Sequence, residues 1–333
     1  MRARTALVVV AALAMVAGGI AVAWWTTADD TASSRLSVEG ADLVDASGER
    51  FVMLGSTLYA LPFYLSGDWT DGGLSEETRR ISANLEPILD RMVDEGLNTV
   101  RIPLGTEAWE SDAYAITPDE WLDRVERITV AAAERDMYVM VAWWDAAQWG
   151  QSWPERHEES FPMMRAVHER VGGYDNLVVE PMNEPNRVSW EEWRTATSST
   201  MRFWREDLGY DGPLVINTPG WSWTFDPNEA DRITALDAEI LGEPNVAFAN
   251  HRYANDNDCF CGDERDTWVD EVGRYITDYP MLVTEIGNFN GDWEPEPRWV
   301  DQFASHLVRD RLPDGLDGIL VFTWRWSDPI TMT

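Results

Sequence analysis

From about residue 75 onward the chain alternates between two hydrophobic rhythms. Apolar residues at three- and four-residue spacing mark about 75–95, 118–135, 156–171, 190–208, 228–241, 265–277 and 297–311, and each segment predicts a helix with one buried stripe. Between them lie runs that are apolar at successive positions: Thr99 to Leu104, Tyr138 to Trp143, Leu177 to Val179, Leu214 to Ile216, Val246 to Ala249, Met281 to Val283 and Ile319 to Phe322. Strands of this kind suit a parallel sheet, which is covered by helices on both faces. Two helix starts are signalled directly. Thr117-Pro118-Asp119-Glu120 joins a capping box to a proline in the first turn, and Ser189 with Glu192 repeats the box.

Upstream, Leu36 to Val38, Leu43-Val44 and Arg50 to Leu54 are short apolar runs, and Asp45-Ala46-Ser47-Gly48 joins the last two. This predicts an N-terminal β-hairpin leading into a first core strand at about Phe51 to Gly55. With that strand the apolar runs complete a set of eight βα repeats. Eight repeats in one domain, residues 36–333, predict a closed (β/α)8 TIM barrel rather than an open doubly wound sheet. The eighth strand ends near Thr323 and the sequence at Thr333, so the eighth helix is expected to be short or absent, or the chain truncated.

Ahead of the barrel, Met1-Arg2-Ala3-Arg4 is a short basic start and Ala6 to Trp25 carries no charge. Residues 1–25 read as a signal peptide or membrane anchor, and residues 26–35 as a linker. An extracellular or cell-surface location follows, with membrane contact only through this segment if it is uncleaved. The apolar stretch is long enough to span a bilayer, while Ala21-Val22-Ala23 and Thr27-Ala28 offer small-residue cleavage sites.

Charge narrows the partners. The net charge is −33, and all 26 basic residues are arginine. A surface this acidic repels nucleic acid and anionic membranes, and it is most compact where salt screens its self-repulsion. A halophilic setting explains it, as does an ordinary acidic secreted enzyme. Cys259 and Cys261 are too few to build a structural zinc site unaided, and either a small-ring disulfide or a free pair fits them. A monomer is expected, with no cofactor.

In such a barrel the chemistry sits at the carboxyl ends of the strands. Reading past each apolar run gives Arg101; then Trp143, Trp144 and Asp145; then Asn183, Glu184 and Pro185; then Asn217, Trp221 and Trp223; then His251 and Tyr253; then Glu285; then Trp324 and Trp326. Two glutamates, on the fourth and seventh strands, thus face one cleft. Carboxyl groups roughly 5 Å apart are what a retaining glycosidase uses, one protonating the leaving oxygen while the other attacks the anomeric carbon.

Val178-Val-Glu-Pro-Met-Asn183-Glu184-Pro185 resembles the Asn-Glu-Pro signature of glycoside hydrolase family 5, the cellulase family of the retaining barrel clan. Met281-Leu-Val-Thr-Glu285-Ile-Gly287 resembles its nucleophile strand, Leu97-Asn-Thr-Val-Arg101-Ile-Pro103 its second strand, His251-Arg-Tyr253 its sixth and Val321-Phe-Thr-Trp324 its eighth. The likeness runs over about residues 36–327. It implies double-displacement cleavage of a β-linked glycan, of the β-glucan or β-mannan class, with an oligo- or polysaccharide as the partner. Glu184 would be the acid/base and Glu285 the nucleophile. Arg101 and Tyr253 would donate to Glu285, Asn183 would bind the sugar 2-hydroxyl, His251 would line the cleft, and Trp324 would floor it.

Two positions depart from the pattern. The family's third strand usually ends in a histidine near the acid/base, where this chain has Trp143-Trp144-Asp145, which places Trp144 among the candidate substrate-binding residues. After the first strand, where an asparagine is common, it reads Gly55-Ser56-Thr57-Leu58-Tyr59. Blander readings stand beside the sharp ones: Asn-Glu-Pro as a helix-start turn, Arg101 in a structural ion pair, His251 as a satisfied core histidine. Among the 19 Trp, those at loops and strand ends are candidates for stacking on sugar rings, whereas Trp121, Trp193, Trp204 and Trp268 lie in helical patterns and read as packing. The acidic run Asn255-Asp-Asn-Asp258 lacks the spacing of a calcium loop, so no metal is expected. Two rivals to hydrolysis remain open, a catalytically silent carbohydrate-binding barrel and a transglycosylase.

Overall fold

A computed structural model describes residues 8–13, 20–25, 34–58, 85–105, 117–144, 157–254, 259–287 and 297–321. Strands β1 (Val8–Leu13) and β2 (Ile20–Trp25) pair antiparallel. Among the described residues no helix is long and apolar enough to cross a membrane. Next come β3 (Ser37–Glu39) and β4 (Asp42–Val44), a tight hairpin. The expected turn at 45–48 also forms, since Val44 bridges Arg50 and Phe51 N–H reaches the Leu43 carbonyl at 2.7 Å.

Eight parallel strands then close into a barrel: β5 (Met53–Thr57), β6 (Thr99–Leu104), β7 (Tyr138–Trp143), β8 (Leu177–Glu180), β9 (Leu214–Asn217), β10 (Val246–Tyr253), β11 (Met281–Gly287) and β12 (Gly318–Val321), with β12 pairing back onto β5. The helices between them are α1 (Leu85–Asp94), α2 (Pro118–Ala133), α3 (Phe161–Val171), α4 (Trp190–Arg202), α5 (Pro227–Leu241), α6 (Asp263–Glu271) and α7 (Pro297–His306). Both capping boxes form as expected, Thr117 with Glu120 and Ser189 with Glu192. Helices α4 and α7 each end in a π turn, over Phe203–Asp207 and Leu307–Arg311. The expected helical span 75–84 and everything after Val321 lie outside the described residues.

Strand parity separates two cores. Val139 and Val141 of β7, with Leu177 and Val179 of β8, face outward onto the helices. Tyr138, Met140, Val178, Val215, Ala247, Leu282 and Leu320 point inward and fill the barrel together with Leu36 and Leu43. The β3–β4 hairpin therefore plugs the amino end of the barrel, and Tyr138 fastens it by donating to the Ser34 carbonyl at 2.6 Å. A filled floor leaves the opposite end for chemistry. There the inward positions turn polar: Arg101, Glu180, Asn217, His251 and Thr284 are all buried.

Candidate active site

The polar layer begins where the inward residues of β6, β8 and β9 pass from Thr99, Val178 and Val215 to Arg101, Glu180 and Asn217. Four strands run further than their apolar stretches suggest, β8 to Glu180, β9 to Asn217, β10 to Tyr253 and β11 to Gly287. Backbone hydrogen bonding continues after hydrophobicity stops, so most of these side chains stand on rigid strands. Irregular register between Asn250 and His251 and between Val283 and Ile286 then alters the inward and outward alternation. Bulges of this kind re-aim side chains. Here Thr284 and Glu285, adjacent in sequence, both make contacts within the site.

Arg101 organises the centre. Its fully buried guanidinium makes three different bonds: Nε to Glu180 Oε2 at 2.6 Å, Nη1 to Glu285 Oε1 at 2.6 Å and Nη2 to Asn183 Oδ1 at 2.5 Å. Burial works against its charge, but Glu180 and Glu285 more than offset that and raise its pKa further. Glu285 also accepts from the Tyr253 hydroxyl at 2.6 Å. That approach depends on Gly287, because a Cβ there would lie 1.9 Å from the Tyr253 ring.

Glu184 sits just past β8 with a left-handed backbone, φ 49°, and its N–H is held by Asn217 Oδ1 at 3.2 Å. Asn217 is fixed in turn by Ser222, which donates to the same oxygen, and by its own amide, which donates to Glu180. A carboxylate oxygen of Glu184, one of Glu285 and a ring nitrogen of His251 lie within 4.8 Å of one another. Burial is the main cause that raises the pKa of Glu184, repulsion from Glu285 adds to it, and the His251 contact opposes both.

His251 Nδ1 lies 2.6 Å from Glu184 Oε1, and Nε2 lies 2.9 Å from Thr284 Oγ1. Burial disfavours the imidazolium, yet the charge of Glu285, the nearby carboxylate of Glu180 and the hydrogen bond with Glu184 prevail and raise its pKa to about 9. The ring is wholly buried. It is held between Glu184 and Thr284. The histidine expected at the end of the third strand is replaced by Trp144, whose ring centroid is 5.7 Å from the Arg101 guanidinium carbon.

The three residues around the 4.8 Å cluster are the ones that could hold a metal ion among the described residues. Their donors already bond to one another and to Arg101 and Tyr253, so the set serves itself. Cys259 and Cys261 are joined as a disulfide and flank Phe260, which packs against Trp268, Trp299 and Phe303. Trp324 and Trp326, with Trp109, Trp149, Trp153 and Trp293, lie outside the described residues, as do residues 255–258. Trp143 packs edge-on against Trp204 in the core, whereas Trp221 is 41% exposed. The helical tryptophans Trp121, Trp193, Trp204 and Trp268 are all core, as expected.

Of the predicted group, Arg101, Asn183, Glu184, His251, Tyr253 and Glu285 converge, and Trp144 packs at their edge. Sequence reasoning passed over Glu180 and Thr284. A carboxylate within an apolar run, with the inward parity of Val178, was the signal for Glu180.

A family model described as Cellulase (glycosyl hydrolase family 5) matches residues 65–327. Endoglucanase E-5 of Thermobifida fusca is 23% identical over 205 residues, covering 61% of this chain and 42% of that protein, so the chain spans less than half of that relative. In fold, the chain is similar to a β-glucanase from Saccharophagus degradans, with TM-score 0.67 and 17% identity over 90% of this chain and 87% of that one. It is also similar to a β-mannanase from Thermomonospora fusca, with TM-score 0.61 and 17% identity over 87% and 84%.

Proposed function

The chain belongs to the cellulase family, glycosyl hydrolase family 5, and from that premise we propose that it hydrolyses a β-linked glycan of the β-glucan or β-mannan class by double displacement, with retention. Glu184 acts as acid/base and Glu285 as nucleophile. The observation that carries this reading is a pair of carboxyl groups with oxygens within 4.8 Å and opposite surroundings. Glu285 faces a permanent cation and a phenol donor, whereas Glu184 is partly buried beside a like charge that favours its protonated form.

In the first step Glu285 attacks the anomeric carbon as Glu184 gives its proton to the leaving oxygen. In the second, Glu184 takes a proton from water, which then displaces Glu285. The short spacing favours this route over inversion, where the groups stand further apart to admit a water. Asn183 fits its part as well: its Oδ1 is held by Arg101, while Nδ2 is buried with no partner among the described residues and is free to donate to a sugar 2-hydroxyl. Trp144 and Trp324 complete the proposed substrate-binding set.

Residues 1–25 direct export or anchoring in this proposal, and the charge of −33 adapts the surface to high salt. The test is the purified protein in high salt against β-glucans and β-mannans, with product sizing. E285A should abolish turnover, and E184A should retain slow cleavage of aryl glycosides with good leaving groups. Normal rates from both variants on the wild-type substrate would refute the assignment. Glycan binding without release of reducing ends would favour the silent barrel, and sugar transfer exceeding hydrolysis at high acceptor concentration would favour the transglycosylase.

A further inference from the structure

The third carboxylate in the site has no place in double displacement. Glu180 is fully buried on β8, one strand position from the end of the apolar layer. A carboxylate there is costly unless paired. It accepts from Arg101 Nε of β6 at 2.6 Å, from Asn217 Nδ2 of β9, and from Thr284 Oγ1 of β11 at 3.4 Å. His251 Nε2 of β10 lies 3.7 Å away. Four strands therefore converge on this one group, and each converging residue also touches the reacting pair or a residue that does.

We infer that Glu180 is a positioning residue for the proposed reaction, whose charge balances the buried Arg101 and His251 cations so that Glu184 keeps its proton while Glu285 remains a carboxylate. Among the described residues, the charged groups of the cluster are Arg101 and His251 on one side of the balance, Glu180 and Glu285 on the other, and the titratable Tyr253 stays a neutral donor to Glu285. With Glu184 neutral the buried cluster is electroneutral. Remove the charge of Glu180 and one positive charge is left over, which the cluster relieves by releasing a proton from the coupled Glu184 and His251 pair. Glu180 has a geometric task as well. It holds Nε of the guanidinium fork, so that the other two nitrogens reach Glu285 and Asn183. Burial would raise its own pKa, but the charge of Arg101 and the contact with His251 outweigh burial and hold it at about 2. It remains a counter-ion across the working pH range.

This inference rests on Glu184 as acid/base, so the experiment separates the two. E184A with added azide, on an activated aryl β-glycoside, tests the acid/base alone, and rescue of its rate is expected. E180Q is then compared with wild type in the pH dependence of kcat/KM. Its basic limb should move to lower pH by about one unit, with a roughly tenfold loss of rate on the alkaline side. E180D keeps the charge but withdraws it from Arg101. Its limb should stay at the wild-type position, while kcat falls and KM changes little.

A merely structural Glu180 would lower the unfolding temperature without moving the limb. Azide rescue of E184A together with an unshifted limb in E180Q would overturn the inference while sparing the acid/base. Failure of azide rescue would reject the acid/base reading itself. If E180Q does not fold, E180D decides: a wild-type kcat would overturn the inference.

Discussion

Replacing Arg101 with methionine tests the centre of the site most severely. The side chain is wholly inaccessible and is the cation for two carboxylates, Glu180 at 0% and Glu285 at 2% exposure. Methionine fills similar volume without charge. Removing one partner of a buried ion pair costs about 3–5 kcal/mol, because the other is left uncompensated. Two carboxylates lose the same cation here, so R101M should fall at the upper end, near 5 kcal/mol. That is a large fraction of the ~5–15 kcal/mol that holds a typical domain together. Guanidinium unfolding at pH 7, followed by circular dichroism and tryptophan fluorescence, measures it.

Activity should fall further than stability alone explains. Glu285 and Asn183 each lose a charge-assisted hydrogen bond worth about 1.5–3 kcal/mol, so kcat/KM should drop by roughly 10^2 to 10^4 in the fraction that remains folded. R101K restores a charge but has a single ammonium for three acceptors. It should recover part of the stability and little of the rate. If R101M lay within about 1 kcal/mol of wild type and within tenfold in kcat/KM, the account of Arg101 as the shared cation would be wrong.

Tyr253→Phe removes one donor to Glu285 and leaves the ring over Gly287. It should lower kcat/KM by about 10- to 100-fold in steady-state kinetics, with little change in unfolding temperature. Asp237 gives a control remote from the cleft. It pairs with the buried Arg205 at 2.7 Å, so D237A should cost about 3–5 kcal/mol in denaturant unfolding yet leave the pH profile of kcat/KM in place. Stability should also fall at both pH extremes. Glu180, held at about 2 against an ordinary 4.5, stabilises the fold fully above pH 4.5, and that contribution fades as pH drops through 2. His251, raised from 6.5 to about 9, stabilises below pH 6.5 and loses this as pH rises through 9. Thermal scans of E180Q and H251Q should therefore lose the acid and the alkaline part of the dependence respectively.

Much of this architecture was written in hydrophobic rhythm. Runs such as Tyr138 to Trp143, apolar at every position, could only be strands covered on both sides, and the boxes at Thr117 and Ser189 fixed where two helices begin. Five site residues were legible because they follow such runs in a fixed order, and Arg101 because it is the charged residue within one of them. Register was not legible. The irregularity between Val283 and Ile286 determines which side chains of β11 reach the site, and it leaves no mark in composition. Glu180 is hard to read from sequence because the apolar run ends at Val179, and only inward parity shared with Val178 shows that strand and site overlap there. His251, expected to line the cleft, is buried next to the irregular register after Asn250, with its ring between Glu184 and Thr284. That position also supplies what the replaced third-strand histidine left open, a partner for Glu184. The pairing of Cys259 with Cys261 depended on loop geometry that two cysteines in sequence do not specify.

The proposed double displacement requires Glu285 to form a covalent bond to the sugar. In a 2-deoxy-2-fluoro-β-glycoside with a dinitrophenolate leaving group, the fluorine slows both displacements while the good leaving group speeds the first, so a covalent intermediate accumulates and can be located by mass spectrometry of proteolytic peptides. One equivalent of sugar should attach to Glu285 and none to E285Q, and the product should leave with its anomeric configuration retained. A label on any other residue, or an inverted product with no label at all, would contradict double displacement through Glu285.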